Sequence, residues 1–560
     1  MKYKLLLFGI ILLAAVLRLW NLGNVPISPD WDEAALGYNA YSLLQTGKDE
    51  YGATLPMTLQ SFGDYKPALY AYLIIPFIPV FGLSDIAVRL PSAIFGIIAV
   101  GATYLLVKEL LYYKKNKKEN THVSEKLRQV LPLLSAGLLA ISPWHIQFSR
   151  VAFESNVGLT CNILLVLCFI VGLRKNWIFI FSGFFAALSI YTYQSEKIFT
   201  PLLVLVLTVI YRKELFKVAK KYLVLAFVIG ALVSLPMVYF TATNEHGLAR
   251  AKGTSVFSSQ DDILKYSIQK IERDKKDNNV LGLILDNRRV EYTKLIFSGY
   301  LAHYDLKWLF VTGDAQRHHA PFMGLLYLWE LPFLLIGIYT AAFSPLAKQY
   351  RKSQFVLFSW FLIAPIPAAI TNDVPHAVRT LNFLPTFQIF TAIGLLTFYV
   401  FVQKIVRLTV WKKISVLALT GLVVVVSGLN IAYYLNQYFV QQNYFYSEYW
   451  QYGYKEAVSY AANNYEKYER IIVSSEVPLD QSYIFFLYYL QFPPHEYQTT
   501  QGENHSFGKF EFRPIEWKTD STLSNTLFIG APGEFPEVVP ADHTIQYLNG
   551  EEAIKIVSTD

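Results

Sequence analysis

The chain has 560 residues, of which 53% are hydrophobic and 16% are charged, whereas a soluble domain usually has about 25% charged residues. This composition excludes a disordered chain, a coiled coil and a collagen-like repeat. The net charge of +7 is modest for this length, so the positions of the charges are more informative than their sum. Apolar runs of roughly membrane-spanning length, about 20 residues, recur along the chain and disfavour a single large soluble globule.

Eleven apolar runs predict about 11 membrane spans. The first, residues 5–22, ends with Arg18 and Trp20 instead of a small-residue cleavage site, so we expect an uncleaved span and not a signal peptide. The other ten runs are residues 86–107, 130–146, 157–173, 177–193, 199–211, 222–241, 322–343, 355–370, 381–401 and 414–435.

Residues 67–82 are also apolar, but Pro67, Pro76 and Pro79 interrupt helical hydrogen bonding, which is costly in lipid. The basic loops decide how this segment is placed. If it lies on the membrane surface or re-enters, the basic loops 108–128, 212–221, 348–352 and 404–413 all face one side, which the positive-inside rule assigns to the cytoplasm. The first of these loops contains Lys114, Lys115, Lys117 and Lys118.

This topology predicts a cytoplasmic N-terminus and an integral membrane protein of the cell membrane. The extracytoplasmic segments are then 23–85, 142–155, 194–198, 242–321, 371–379 and the tail from 436. We expect any active site on that side. The predicted fold is mainly α: a polytopic helical bundle over 1–435, with interfacial helices in the first outer loop, and a small soluble α/β domain over 436–560.

The tail differs from the rest of the chain in composition. Alternation and β-branched content predict strands at 469–475, 526–530 and 553–558, and a helix or an apolar strand at 482–490.

The first outer loop opens with the carboxylates Asp30, Asp32 and Glu33, and the sequence then predicts a helix over 33–44. Carboxylates at a helix N-terminus can simply cap it. The alternative is a general base, or metal ligands, held at the membrane surface. Asp30-x-Asp32 also resembles the metal-binding pair of nucleotide-sugar transferases, but those pairs follow a strand in a soluble domain.

Cationic side chains occur later in the same loop and in two other outer segments. Lys66, before Pro67, either snorkels or directs its ammonium at a lipid phosphate. Arg150 and Glu154 are four residues apart, so they share one face if that stretch is helical, and a simple salt bridge explains the pair equally well.

The segment 371–379 carries His376 and Arg379, which are three residues apart and could both reach one phosphate. The neighbouring residues His318 and His319 could bind a metal, but the sequence offers them no matching ligand set.

Carboxylates in one loop and cations in others are what a catalyst needs to move a group from an anionic lipid. The carboxylate takes the proton of an acceptor hydroxyl, and the cations stabilise the charge that grows on the leaving phosphate. The sequence has no Gly-x-x-x-x-Gly-Lys-Ser/Thr loop and no strand followed by Gly-x-Gly-x-x-Gly, which a lipid-borne donor would explain.

The elements Asp32-Glu33, Lys66-Pro67 and Arg89-Leu90-Pro91-Ser92, in this order and with this span pattern, resemble the protein O-mannosyltransferase and aminoarabinose-transferase family. These enzymes belong to the multi-span glycosyltransferase C superfamily, and the resemblance covers about residues 1–400. It implies an inverting transfer of a hexose or pentose from a polyprenyl-phosphate sugar at the extracytoplasmic face. The acceptor would be a protein, a lipid or a glycan.

The resemblance also implies residue roles. Asp32 would be the base with Glu33 beside it, and Lys66 and Arg379 would bind the carrier phosphate, to which we add His376 and Arg150 as candidates. Glu154 is the nearest match to a second acidic residue, where the family more usually has Asp. We expect contacts with membrane lipids and none with nucleic acid. A divalent metal, held by Asp30 and Asp32, is the one cofactor left open.

Two other classes of function fit parts of this pattern. A transporter or flippase for a lipid-linked sugar would use the same cations without a base, but such proteins often show internal repeats and broken helices, and neither is clear here. A structural or receptor protein would use the membrane bundle to display its tail outside the cell.

Overall fold

The computed structural model describes residues 2–112, 122–244, 253–258, 261–344, 350–406, 410–500 and 503–559. The lysines of the longest basic loop, Lys114, Lys115, Lys117 and Lys118, lie outside the described residues. So do residues 348–349 and 407–409 of two other basic loops.

The protein is mainly α-helical. The α-helices of the first half are Lys2–Leu19, Trp31–Thr46, Leu69–Ile74, Ile78–Phe81, Asp85–Tyr112, His122–Ile141, Pro143–Ser149, Glu154–Gly172, Phe179–Ser189, Glu196–Ile210, Arg212–Leu215 and Lys220–Thr243. Those of the second half are Asp261–Lys276, Val280–Leu285, Arg288–Ala302, Glu330–Phe343, Arg351–Ile363, Ile366–Ala369, Thr386–Val406, Val410–Asn436, Gln442–Tyr446, Tyr454–Asn463, Ser482–Leu490, Pro494–Thr500 and Trp517–Asp520.

Shorter helical turns connect several of these helices. The 3-10 turns are Ile75–Phe77, Asn176–Ile178, Gln316–His318, Leu381–Phe383, Glu503–His505 and Pro532–Glu534, and the π-helical turns are Trp308–Thr312 and Gln437–Gln441.

Among the described residues, five helices are long and apolar enough to cross a bilayer, and a sixth qualifies if a bent pair is one span. The five are Asp85–Leu111, Glu154–Gly172, Lys220–Thr243, Leu381–Ile405 and Lys413–Tyr446. The bent pair is Arg128–Ile141 with Pro143–Ser149, whose axes differ by 59°. The chain is thus an integral membrane protein, and the total of eleven spans stays a prediction.

The segment 67–82 is broken as its prolines predict. It forms the short helices Leu69–Ile74, Ile75–Phe77 and Ile78–Phe81, and it is not among the helices that are long enough to span. Pro76 and Pro79 cannot donate to a preceding carbonyl, so each begins a new short helix.

The contacts divide the chain into two compact units. The helical unit comprises Met1–Leu17, Phe95–Phe148 and Phe153–Tyr433, and the loop–tail unit comprises Arg18–Ile94, Ser149–Ala152 and Tyr434–Asp560. The predicted domain boundary at 435 stays a prediction. The loop that follows the first helix and the C-terminal tail nevertheless share one unit, which composition alone did not suggest.

Close helix packing in the helical unit depends on two glycines. A Cβ on Gly337 would lie 1.8 Å from the carbonyl oxygen of Phe390, and a Cβ on Gly394 would lie 1.8 Å from that of Phe333. The helices Glu330–Phe343 and Thr386–Val406 therefore approach backbone to backbone, as small residues allow in membrane helices.

The tail of the loop–tail unit contains a five-stranded mixed sheet. With strands numbered along the whole chain, its members are β3 (Arg470–Val473), β4 (Phe510–Phe512), β5 (Thr526–Gly530), β6 (His543–Gln546) and β7 (Glu552–Thr559), in the order β4-β3-β5-β7-β6. Strand β3 is parallel to β4 and β5, whereas β7 is antiparallel to β5 and β6.

The three strands predicted in the tail are confirmed as β3, β5 and β7, and Ser482–Leu490 is a helix. Strands β4 and β6 were not predicted. They are only three and four residues long, which is too short for an alternating pattern to distinguish them from loops.

The first loop contributes a helix and a hairpin to the loop–tail unit. The predicted helix is confirmed and spans Trp31–Thr46, and the hairpin pairs β1 (Thr58–Ser61) with β2 (Asp64–Pro67). The hydroxyl of Tyr38 donates to the carbonyl of Phe492 at 3.1 Å, so the loop helix is hydrogen-bonded to the tail.

Candidate active site

Asp30 caps the first-loop helix. It is 1% exposed, and its Oδ1 accepts a hydrogen bond from the backbone N–H of Glu33 at 2.8 Å. Asp residues are favoured at this position because the first N–H groups of a helix have no partner within it. The capping interpretation of the acidic cluster is therefore correct for Asp30.

Asp32 and Lys66 form an ion pair within the loop–tail unit. Lys66 lies on β2, so the hairpin brings its ammonium to the first turn of the loop helix. The Lys66 side chain is only 10% exposed, whereas that of Asp32 is 40% exposed. The ammonium also lies 5.7 Å from the centre of the Phe62 ring. The carboxylate can thus meet a second molecule while the lysine is held in place.

This ion pair also bears on the metal site that the sequence left open at Asp30 and Asp32. One of these carboxylates is used as a cap and the other is paired with an ammonium. A positive charge already beside Asp32 opposes a divalent cation at the same place. These contacts favour an acid–base function for Asp32.

Glu33 is held by Arg89. Nε and Nη2 of Arg89 donate to the Glu33 carboxylate at 3.0 and 2.9 Å, and the backbone N–H of Ala152 donates to it at 2.9 Å. Both side chains are buried, and Arg89 also donates to the carbonyls of Leu22, Pro26 and Ser28. Glu33 therefore anchors the start of the loop, and its predicted part in catalysis stays a prediction.

Arg150 is fully buried in the loop–tail unit and is directed at backbone carbonyls. Its guanidinium donates to the carbonyl oxygens of Arg18, Asn21 and Val25 at 3.0–3.3 Å and lies 4.8 Å from the centre of the Phe439 ring. These contacts hold the chain that follows the first helix. They favour a structural function for Arg150 over the predicted phosphate contact.

Arg150 and Glu154 do not share one helical face. Pro143–Ser149 ends before Arg150, and the next helix, Glu154–Gly172, begins at Glu154. The two residues would share a face only if residues 150–154 were helical, and the chain is not helical between Arg150 and Glu154.

Glu50 is a site residue that the sequence did not single out. It is fully buried. Its backbone N–H donates to Asn39 Oδ1 at 3.0 Å, and its Oε1 accepts from Asn39 Nδ2 at 3.0 Å. Its Oε2 has no hydrogen-bond partner among the described residues. Burial raises the pKa of the Glu50 carboxyl to about 8, although Asn39 and the charge of Lys66 act in the opposite direction. Only its burial identifies it, because the loop around it carries no motif.

Aromatic side chains of the tail lie beside this part of the first loop. Tyr483 stacks on His505 with a centroid distance of 4.0 Å, and its hydroxyl lies 3.5 Å from that of Tyr51. Phe62, at the tip of the hairpin, meets the Tyr483 ring edge-on at 6.1 Å. The tail therefore supports the hairpin that carries Lys66.

The other predicted phosphate-binding residues belong to the helical unit. Nη1 of Arg379 donates to Thr371 Oγ1 at 2.6 Å and to the carbonyl of Asn372 at 2.5 Å, which holds it within its own turn. Glu154 is the first residue of its helix and is 8% exposed. Their predicted contacts with substrate stay predictions.

His376 lies in a cluster with His318 and Asp314, in which one ligand atom of each residue is within 4.8 Å of the others. No matching ligand set for His318 could be recognised from the sequence, because His376 comes from a turn 58 residues later in the chain. Although burial acts to raise it, the pKa of Asp314 is lowered to about 2, chiefly by the hydrogen bond and charge of His318. His319 points elsewhere and bonds the carbonyl of Ala320 at 2.8 Å.

Comparison with solved structures identifies the fold. ArnT from Cupriavidus metallidurans, bound to undecaprenyl phosphate, matches with a TM-score of 0.54 and 10% identity over 99% of this chain and 98% of ArnT. The archaeal oligosaccharyltransferase AglB from Archaeoglobus fulgidus, in complex with an inhibitory peptide and a dolichol-phosphate, matches with a TM-score of 0.51 and 13% identity over 95% of this chain and 69% of AglB. The chain has the glycosyltransferase C fold.

The glycosyltransferase C fold is what the first-loop elements implied. Because the match with ArnT covers 99% of the chain, it includes the tail as well as the helical part. No protein-family model and no curated protein matches the sequence. At 10–13% identity, these likenesses establish the fold and not the activity.

Proposed function

We propose that this protein is an inverting glycosyltransferase that moves a sugar from a polyprenyl-phosphate donor to an acceptor hydroxyl on the extracytoplasmic side of the membrane. The ion pair between Asp32 and Lys66 carries the proposal, because it places a carboxylate and an ammonium together in the first loop. The likeness to ArnT, whose structure is bound to undecaprenyl phosphate, supports the choice of donor.

In the proposed reaction, the donor phosphate takes the ammonium of Lys66 and so releases Asp32 from its ion pair. The carboxylate then accepts the proton of the acceptor hydroxyl. The hydroxyl oxygen attacks the anomeric carbon from the face opposite the phosphate, and the bond between this carbon and the phosphate oxygen breaks. Lys66 stabilises the second negative charge that develops on the leaving polyprenyl phosphate.

Other side chains would keep this pair in position. The Asp30 cap and the bond between Glu33 and Arg89 hold the beginning of the loop helix, on which Asp32 lies. We retain Arg379 as an expected phosphate ligand and Glu154 as the expected second acidic residue, whereas the cluster with Asp314 and His318 favours another role for His376.

The proposal includes the topology that the basic loops predict. It consists of about eleven spans, a cytoplasmic N-terminus, first-loop helices that lie at the interface, and an extracytoplasmic tail from 436. A protease added to intact cells should cleave a site inserted into the tail, at Asn549–Gly550. It should not cleave the same site inserted at residues 212–213.

The activity can be tested with purified full-length protein in detergent. A panel of polyprenyl-phosphate hexoses and pentoses is incubated with membrane lipids and envelope proteins, and both fractions are analysed by mass spectrometry. We expect free polyprenyl phosphate and a matching mass increase on one acceptor, with one member of the panel preferred. A flippase would form neither product, so an inactive D32N variant and an active wild type also separate the two functions.

A further inference from the structure

We propose that Asp314, His318 and His376 form a binding site for a divalent transition-metal ion, for which zinc(II) is the best match. The proposal concerns the helical unit alone and does not depend on the proposed transfer reaction. It rests on the convergence of three potential ligands from two turns of the chain.

The spacing of the ligand atoms is close to what a zinc site needs. One atom from each of the three residues lies within 4.8 Å of the other two, and His318 Nδ1 is 2.9 Å from Asp314 Oδ2. Zinc ligands at about 2.0–2.1 Å from the ion are about 3.3 Å from one another in a tetrahedron. Side-chain rotations that bring the ligand atoms closer together by up to about 1.5 Å would close the remaining gap.

His376 contributes an unsatisfied nitrogen. Its Nδ1 is shielded from solvent and has no hydrogen-bond partner among the described residues. Such buried polar atoms are rare in native proteins, and each requires an explanation, of which an ion is one.

A second layer of hydrogen bonds holds the two turns in place. The backbone N–H of Ala377 donates to Asp314 Oδ2 at 2.6 Å, which fixes the carboxylate. The backbone N–H of His376 donates to His303 Nε2 at 3.1 Å, and His303 Nδ1 in turn donates to the carbonyl of Gly299 at 2.7 Å. Outer contacts of this kind orient the ligands of metal sites.

The types of ligand select the class of metal. Two imidazoles and one carboxylate suit zinc and other transition metals, whereas calcium and magnesium prefer sites made only of oxygen. Three protein ligands also leave a fourth position, which in zinc sites is taken by water or by an oxygen of a bound molecule. The competing interpretation is an Asp–His hydrogen bond that packs against a neighbouring histidine without an ion.

The test measures metal binding by the full-length protein in detergent. After treatment with a chelator, the protein is dialysed against increasing zinc(II), and the metal bound per chain is counted by mass spectrometry. We expect one tightly bound zinc in the wild type, with affinity at least tenfold lower in D314N and in H376A. The matched control is H543A, because His543 lies in the loop–tail unit, where it contacts Glu456. It should bind zinc like the wild type.

A second measurement guards against variants that misfold. Cobalt(II) in the wild-type site should give the visible absorption bands of a four-coordinate ion, and added zinc should remove them. Zinc bound equally by the wild type, D314N and H376A would overturn the proposal. A wild type that binds no zinc, or cobalt bands that do not respond to zinc, would overturn it as well. None of these readouts requires sugar transfer, so the site and the proposed function succeed or fail separately.

Discussion

The ammonium of Lys66 pairs with the carboxylate of Asp32 across 34 residues of the first loop. The pair joins the β1–β2 hairpin to the first turn of the helix Trp31–Thr46. The lysine is nearly buried, and the carboxylate is partly open to a second molecule. This difference in exposure suits a site in which the cation binds a phosphate and the carboxylate accepts the proton of a hydroxyl.

The first prediction concerns Asp32. The change D32N keeps the size of the side chain but removes the group that accepts the proton, so we expect the rate of transfer to fall by about 10²- to 10⁴-fold. The melting temperature should change little, because this carboxylate is 40% exposed. The rate is read from the release of polyprenyl phosphate. D64N, in the same hairpin, is the control and should remain active.

The second prediction concerns Lys66. The change K66A removes the cation that would stabilise the leaving phosphate, and we expect a loss of about 10²- to 10³-fold in turnover at saturating donor. K48A is the matched control, since Lys48 is an exposed lysine of the same loop. If K66A weakened donor binding but left turnover unchanged, Lys66 would bind the donor without stabilising the transition state.

The third prediction separates Glu33 from Asp32. Removing Glu33 in E33A leaves the buried Arg89 without its carboxylate, which should cost roughly 3–5 kcal/mol of stability. E33Q can still accept hydrogen bonds from Arg89, so we expect it to be folded and measurably active. Thermal unfolding and transfer are compared for both variants. The exposed pair between Arg273 and Asp277 provides the control R273A, which should cost less than about 1 kcal/mol.

The opposite pattern would change the assignment. If E33Q melted like the wild type and had lost transfer as completely as D32N, Glu33 would take part in the chemistry as the sequence predicted.

The fourth prediction is a dependence of stability on pH that originates at Glu50. Its pKa is raised to about 8 in the folded protein, above the ordinary value of 4.5. Between these two pH values the folded state holds a proton that the unfolded state has lost, so stability falls as the pH rises. The slope is at most about 1.4 kcal/mol per pH unit, and it ends above the folded pKa.

The change E50Q should remove this slope. We expect the melting temperature of E50Q to exceed that of the wild type by an increasing margin from pH 5 to pH 8, and the difference to be constant above that. E537Q, at an exposed glutamate, is the control and should follow the wild type at every pH. Parallel curves for E50Q and the wild type would mean that Glu50 is already ionised at low pH.

Much of the architecture follows from local sequence rules. Apolar run length predicted the five helices that are long enough to span, the prolines predicted the broken segment at 67–82, and alternation predicted β3, β5 and β7. The capping of the helix by Asp30 is equally local, because Asp30 accepts its hydrogen bond from a residue only three positions away. Each of these features depends on neighbours within about 20 residues.

Features that depend on distant parts of the chain could not be predicted in this way. The burial of Glu50, the contact of Glu33 with Arg89 and the meeting of His318 with His376 all require the tertiary structure. The pairing of Lys66 with Asp32 was within reach only because the resemblance to a known family placed both residues at one substrate. Spacing along the chain carries no information on such contacts.

The hydrogen bonds between the first loop and the tail have a consequence for how the protein is made. Tyr38 bonds the carbonyl of Phe492, 454 residues later, and Gln498 donates to the carbonyl of Asp49. A ribosome completes these partners only after nearly the whole polypeptide has been synthesised and inserted. A chain stopped by a nonsense codon between residues 380 and 491 therefore carries every residue proposed for the chemistry, yet lacks the scaffold that would hold the first loop in its finished shape.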